Sequence, residues 1–301
     1  MNTTQKILVT GGTGFVGSAL VEALQAEFHT VHYTTRQTPS GKVGIFADLE
    51  AETDWLKLTQ GYDVVVHTAA LAHSAGHSIE NIDKVNFSAT QDILESCVTN
   101  KVKLFVFISS IKVHGEKTIG SLKFNGQSDY DPGDLYAQSK VKCEKCIRKK
   151  LHGTDCKYVI LQCPLIIGDR PKGNVKTIQR LVKLGIPLPF GCLNDNKRSV
   201  LRLSDLCSLI IHLLMKQHKV DSTILAPSSG TMSTRDIVEH VARANGITNV
   251  RFMKIPKWTI QVLLLSIGRA KYIDKIISNL EVDDAVQLAR IGWMPDNWKG
   301  M

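Results

Sequence analysis

The chain has 301 residues, of which 43% are hydrophobic and 22% charged, with 37 Lys and Arg against 28 Asp and Glu for a net charge of +9. That balance excludes a disordered or fibrous chain and leaves enough length for a sizeable core. The positive excess suits anionic small molecules, membranes or nucleic acid without choosing among them.

Near the start, the apolar run 6–10 is cut by glycines too soon for a secretory core, and the longest apolar stretch, 258–267, falls well short of the roughly 20 residues of a spanning helix. A cytoplasmic protein without membrane insertion is therefore expected. In chain order, short runs rich in Val, Ile and Phe at 6–10, 30–34, 43–46, 63–67, 104–109 and 158–161 read as buried parallel strands. Helix-length segments at 16–26, 86–99 and 136–151 lie between several of them. This alternation predicts an α/β fold, a Rossmann-type doubly wound parallel sheet with helices on both faces. Pro164, Pro171, Pro187 and Pro189 break up the next stretch. Helices are then expected at 206–215, 234–244 and 257–266, with Ser204 and Ser233 as candidate caps. The expected layout is a dinucleotide-binding domain over residues 1–165, with a return segment near 200–225, and a smaller α/β substrate-binding lobe over 166–301. The seven cysteines, scattered from Cys97 to Cys207, do not form a disulfide framework, and the Cys143/Cys146 pair lacks the second ligand pair a metal site needs, so no metal is expected.

Thr10-Gly-Gly-Thr-Gly-Phe-Val-Gly17 follows the first strand and opens the first helix. Gly11, Gly14 and Gly17 permit a tight turn and close backbone approach, and the helix start, with Phe15 and Val16, turns its amides and positive dipole end toward a pyrophosphate. The end of the second strand reads Tyr33-Thr-Thr-Arg36, with no acid for the adenosine ribose. Arg36 can clamp a 2′-phosphate, so NADP(H) is favoured over NAD(H) as the cofactor. Asp48, followed by Leu49, offers a carboxylate to the adenine. Tyr136-Ala-Gln-Ser-Lys140 places Tyr136 and Lys140 on one helix face, where the lysine can lower the phenol pKa and hold the nicotinamide ribose. Tyr136 is then a general acid or base, and a serine ending the fifth strand, Ser110 rather than Ser109, can hydrogen-bond the same substrate oxygen.

Together with 63–70, Val85-Asn86 and 198–205, these motifs resemble the extended short-chain dehydrogenase/reductase superfamily, its NAD-dependent epimerase/dehydratase branch, over nearly the whole chain. The resemblance implies that Ser110, Tyr136 and Lys140 are catalytic, that Ala69 and Ala70 line the coenzyme, and that Asn86 supports the active-site helix region. It further implies substrate contacts from Asn174, from Leu188 and Phe190 on a uracil, and from Arg198 on the diphosphate of a UDP-sugar. A bacterial subgroup of UDP-N-acetyl-quinovosamine/fucosamine 4-ketoreductases adds His73 and Lys112 near the sugar. In dehydratases an Asp-Glu pair follows the catalytic serine, whereas Ile111-Lys112 stands here, which argues against dehydration. With Arg36, the reading is a UDP-4-keto-6-deoxy-N-acetylhexosamine 4-reductase. The alternatives are a UDP-sugar 4-epimerase with retained NAD, and a non-catalytic NADP(H) sensor or RNA-binding relative. Six basic residues between Lys140 and Lys150 read as a solvated face without the aromatic interleaving of a single-strand site, so nucleic acid is not expected. Homodimerisation through helices 86–99 and 136–151 is a family analogy. Gln162, where the family has arginine, and His114, before Gly115, depart from the pattern.

Overall fold

The computed structural model describes residues 5–28, 30–37, 43–71, 78–168, 173–216, 221–266 and 268–296. Its strands are β1 (Lys6–Thr10), β2 (Thr30–Thr35), β3 (Gly44–Phe46), β4 (Val64–His67), β5 (Leu104–Ser110), β6 (Lys157–Cys163), β7 (Leu165–Ile167), β8 (Arg198–Arg202), β9 (Thr223–Leu225) and β10 (Gly230–Met232). The α-helices are α1 (Phe15–Glu27), α2 (Trp55–Leu58), α3 (Ile79–Ile82), α4 (Ala89–Thr99), α5 (Leu135–Leu151), α6 (Gly173–Lys183), α7 (Leu203–Met215), α8 (Thr234–Arg243), α9 (Lys257–Ser266), α10 (Ile273–Ile277) and α11 (Ala285–Arg290).

Alternation along the strands sorts the core into two layers. Ile7, Val9, Val64, Val66, Leu104, Val106, Val159 and Leu161 face one side of the sheet, where Leu20 and Leu24 of α1 and Leu206, Ile210 and Leu213 of α7 cover them. Leu8, Val65, Phe105, Phe107 and Ile160 face the other, under Ile93 and Leu94 of α4 and Cys143, Ile147 and Leu151 of α5. Strands covered on both faces can be apolar throughout, which is why they read as continuous runs. The result is the expected doubly wound parallel sheet, in the order β3-β2-β1-β4-β5-β6-β9. β9 comes late in the chain and pairs in parallel with β6, through Val159↔Thr223 to Leu161↔Leu225. β10, β8 and β7 form a separate three-stranded sheet.

Two helix starts differ from expectation. The helix expected from 86 starts earlier, as α3 followed by a π-helical turn, Asp83–Ser88, that contains Asn86; such turns recur at functional sites. Ser204 does not cap α7. Arg202 takes the N-cap position with no side-chain cap, and Ser204 lies inside the first turn. The first-turn acid Asp205 instead binds Arg202 in a bidentate pair, at 2.8 and 2.9 Å. Ser233 does cap α8, in a reciprocal capping box with Asp236. The basic face of α5 is partly neutralised: Lys142 pairs with Asp83 at 2.5 Å, Lys150 pairs with Glu95, and Lys145 and Arg148 lie over the Tyr130 ring at 5.6 and 5.7 Å. Arg148, Lys149 and Lys150 also stand in the last turn of α5, where cations complement the helix dipole.

At the end of β4, His67 is 1% exposed, bonded through Nδ1 to the Thr10 hydroxyl (2.6 Å) and through Nε2 to the Thr90 hydroxyl (3.0 Å), and stacked on Phe107. Burial, helped by the nearby Lys140 ammonium, pushes its pKa down to about 3. An imidazole depressed in the folded state favours folding above its unfolded pKa, and that contribution is lost as pH falls from about 6.5 toward 3. The loss is up to about 5 kcal/mol. Urea unfolding between pH 7 and 4 should show a steep fall in stability that is shallower in His67→Asn, which has no titrating ring; equal slopes would assign the acid sensitivity elsewhere.

Candidate active site

β1 pairs with β2 on one side and β4 on the other, so a crevice opens beyond the carboxyl ends of β1 and β4. The two loops at this crevice touch. A Cβ on Gly11, whose φ is +73°, would come within 2.8 Å of Ala69 Cα, and one on Gly17 would come within 2.2 Å of the Gly11 carbonyl oxygen. The turn is closed further by Gly11 N–H donating to Thr34 Oγ1 (3.1 Å) and Gly12 N–H to Thr34 O (3.0 Å). Helix α1 can therefore begin directly above the strand end. Its N-cap is Gly14, no side chain caps it, and its first turn carries no acid, so its first amides and positive dipole end have no competing anion of their own. Phe15 and Val16 pack their side chains against the core. This cradle fits a dinucleotide pyrophosphate, with Ala69 and Ala70 on its second wall.

At the adenosine end, Arg36 follows β2 and its Nη1 lies 3.1 Å from Glu50 Oε1, with the two side chains 61% and 40% exposed. Asp48 Oδ1 accepts from Glu50 N–H at 3.0 Å, and Leu49 packs against the core beneath. Glu50 was not singled out in the sequence. It brings a carboxylate to the end of β2, where the strand itself has none, because β3 pairs with β2 in the register Thr35↔Phe46.

Ser109 and Ser110 alternate sides at the end of β5. Ser109 is buried and donates to the Glu144 carboxylate on α5. Ser110 is half-buried; its Oγ accepts only a long bond, 3.3 Å, from Lys112 N–H, where a 3₁₀ turn (Ile111–His114) begins. Helix α5 starts at Leu135 because Asp134 caps it, accepting from Ala137 N–H at 2.9 Å, and this sets Tyr136 at the helix entrance. Four residues on, Lys140 is 3% exposed, donates to Ile108 O of β5 at 2.8 Å, and lies 4.3 Å over the Phe107 ring and 5.8 Å from the Tyr136 ring centroid. Burial pulls the Lys140 ammonium below its ordinary range. Burial, with Cys163 and Asp134 nearby, pushes the Tyr136 phenol well above its own. In the free protein the phenol therefore stands above its ordinary range, opposite to the direction the motif alone implies.

The supporting residues are fully committed. Asn86 accepts from Leu71 N–H (2.7 Å), donates to Leu71 O (3.2 Å) and donates to Ser139 Oγ (2.9 Å), so it ties the loop after β4 to α5 and acts as a positioning residue. Cys143 donates to Asn86 O at 3.1 Å, and burial pushes its thiol up to about 11. The two departures from the family pattern bond to each other: His114 Nε2 and Gln162 Oε1 are 2.8 Å apart, and Gln162 Nε2 donates to Glu144 at 2.9 Å. Gln162 thus anchors β6 where the family has arginine.

On the substrate side, Lys112 donates to Glu116 (2.9 Å) and Asp134 (3.1 Å), and Lys275 of α10 lies 3.5 Å from Asp134. Burial pulls Lys112 down, but the Asp134 and Glu116 carboxylates more than offset it and hold the ammonium above its ordinary range. Arg198 opens β8 and donates to Asp274 O (3.2 Å) and Ser278 O (2.9 Å). Leu188 is 1% exposed inside the apolar cluster with Val182 and Val238, and both its backbone groups bond the 251–253 segment. The neighbouring half-buried Phe190 has its ring against the same cluster. Asn174 stands in the first turn of α6; its side chain, and His73 altogether, lie outside the described residues.

The serine assignment has a direct check. Ser110→Ala should lower kcat by about 10²-fold or more with an unchanged melting temperature. Ser109→Ala should do the reverse, costing about 1–3 kcal/mol of stability because the buried Glu144 loses a donor. Circular dichroism melts and steady-state rates separate the two, and exchanged phenotypes would reverse the assignment.

Comparison with known proteins agrees with this geometry. The family described as "NAD dependent epimerase/dehydratase family" matches residues 7–225. The UDP-glucose 4-epimerase of Vibrio cholerae is 30% identical over 299 residues, covering 97% of this chain and 91% of that protein. Two solved structures share the fold. The UDP-N-acetylglucosamine 4-epimerase from Bacillus cereus has a TM-score of 0.77 at 22% identity and covers 97% of this chain and 94% of its own. The UDP-glucose 4-epimerase of Thermus thermophilus, solved as a complex with NAD, has a TM-score of 0.77 at 21% identity and covers 97% and 94%. The family match over residues 7–225 and the likeness to the Vibrio protein over 97% of the chain give the conclusion: the chain belongs to the NAD-dependent epimerase/dehydratase family.

Proposed function

We propose that the protein catalyses oxidation and reduction at C4 of a UDP-sugar, with Ser110, Tyr136 and Lys140 as its catalytic residues. The observation that carries this is that Lys140 lies over the Tyr136 ring and donates to Ile108 O of β5, the strand whose carboxyl end carries Ser110. When bound, the nicotinamide supplies hydride acceptance and return. Tyr136 removes the proton from the C4 hydroxyl on oxidation and returns it on reduction, while the Ser110 hydroxyl holds the same oxygen. Because burial raises the phenol, its ionisation depends on Lys140 and on the positive charge of an oxidised nicotinamide. Arg198 donates to two carbonyls, with the Glu116 and Asp274 carboxylates near, and is the guanidinium this reading assigns to the diphosphate.

The coenzyme end bears on which reaction this is. Glu50 pairs with Arg36 at 3.1 Å and so engages the guanidinium that a 2′-phosphate would need. This supports NAD, kept through the cycle, and so a UDP-sugar 4-epimerase in line with the Vibrio relative. Arg36 itself supports the second reading, a UDP-4-keto-6-deoxy-N-acetylhexosamine 4-reductase using NADPH, because an exposed arginine can turn from Glu50 to a phosphate.

Purified protein should interconvert UDP-GlcNAc and UDP-GalNAc, or UDP-glucose and UDP-galactose, without added coenzyme. Loss of NADPH absorbance with the 4-keto-6-deoxy sugar, and no interconversion, would favour the reductase. Tyr136→Phe should abolish either turnover while coenzyme still binds; surviving turnover would displace it as proton carrier. Glu50→Gln should shift the NADP-to-NAD affinity ratio about tenfold toward NADP, as a freed guanidinium pairs with phosphate, and an unchanged ratio would make the pair a bystander.

A further inference from the structure

Helix α9 is turned inside out relative to an ordinary surface helix. Ile260 faces the protein at 5% exposure, and the outward stripe at i, i+4 and i+7 is Trp258, Val262 and Leu265, exposed by 66%, 56% and 58%. Leu263 widens it, at 57%. A solvated helix carries its polar residues there, and a contiguous exposed apolar face marks a protein or membrane contact. Cations outnumber acids around it, with Asp195 and Asp274 the acids at its edges. From Asn249 to Ile273 the sequence holds Arg251, Lys254, Lys257, Arg269 and Lys271 and no acid. Arg251, Lys254 and Arg269 are exposed, while Lys257 pairs with Asp195 at 2.5 Å.

We infer that α9 docks this protein reversibly on an anionic phospholipid surface, lying in the interface with its apolar stripe toward the acyl boundary. The helix has ten residues and so is about 15 Å long, which is too short to span and enough to lie flat. Among the described residues no helix is long and apolar enough to cross a membrane. Trp258 is the side chain that favours the headgroup level, and the surrounding cations match a negative leaflet. A second copy of this chain fits less well. A two-fold contact would lay the patch on itself and bring the cations Arg251, Lys254 and Arg269 of one copy toward those of the other. A face about 15 Å long also cannot supply the roughly 800 Å² that each partner contributes to a stable interface. Phosphatidylglycerol satisfies both halves of the patch, apolar and cationic. The inference is independent of which sugar the protein acts on.

The full chain is sedimented with phosphatidylcholine vesicles and with vesicles containing 30% phosphatidylglycerol (a composition chosen for the assay, ~30% anionic lipid). The bound fraction should rise about tenfold with the anionic lipid and fall again in high salt. The Val262→Gln/Leu265→Gln double variant changes only exposed side chains. It should melt like wild type, bind coenzyme normally and lose the vesicle binding. The Arg251→Ala/Lys254→Ala variant should weaken it and reduce its salt dependence. Equal binding to both vesicles, no binding to either, or a double variant that binds like wild type overturns the proposal. A mass that doubles with protein concentration only when Val262 and Leu265 are intact, without vesicle binding, would assign the face to self-association and overturn it as well.

Discussion

Much of this structure depends on one steric contact, the approach of Gly17 to the Gly11 carbonyl. A single added Cβ would lie 2.2 Å from that oxygen, and no rotamer change relieves a clash with backbone. Because the contact is allowed, α1 rises directly from β1, packs Leu20 and Leu24 on the sheet, and aims its uncapped amides at the crevice between β1 and β4. Were α1 displaced outward, the loop carrying Ala69 would lose its neighbour, and Asn86, which bonds both groups of Leu71, would hold that loop against nothing. The coenzyme cradle and the core layer above the sheet are thus set by the same close approach.

The chemistry beside the cradle rests on division of labour between adjacent residues. At the end of β5 one serine turns inward to the buried Glu144 and the next turns to the crevice. Glu144 draws Ser109, Tyr130 and Gln162 together at the end of β5. A carboxylate out of water needs donors on its lone pairs, and three neutral side chains provide them here without a cation. His114 and Gln162 each look like an isolated departure in sequence. In space they are one hydrogen-bonded pair, which is why neither disturbs the strand end.

What could be read from the residues alone was whatever lies within one element or one turn of it. The alternating apolar runs, the glycine loop, the YxxxK helix face and the Ser233 cap are local patterns, and their physics is local. Strand alternation separates Ser109 from Ser110, while the preference for Ser110 leans on the family resemblance as well. What was hidden required partners from far along the chain. Glu50 meets Arg36 only through the β2–β3 register, and Asp205, which closes the Arg198 motif in sequence, belongs to Arg202 in space. Leu188 reads as a ligand contact in the family pattern, but its position against α8 makes it core. Burial of the Tyr136 phenol reverses the shift that its spacing from Lys140 implies, because desolvation depends on everything packed around the ring.

Helix α10 is only five residues long, yet three different parts of the chain meet on it. The carbonyls of Asp274 and Ser278 hold Arg198, the Asp274 carboxylate reaches Lys117, and Lys275 reaches the Asp134 cap of the catalytic helix. These contacts share one short backbone, so their energies are not separable. A substitution in this turn acts on Arg198 and on the cap of the tyrosine-bearing helix together, so the two shift as a unit.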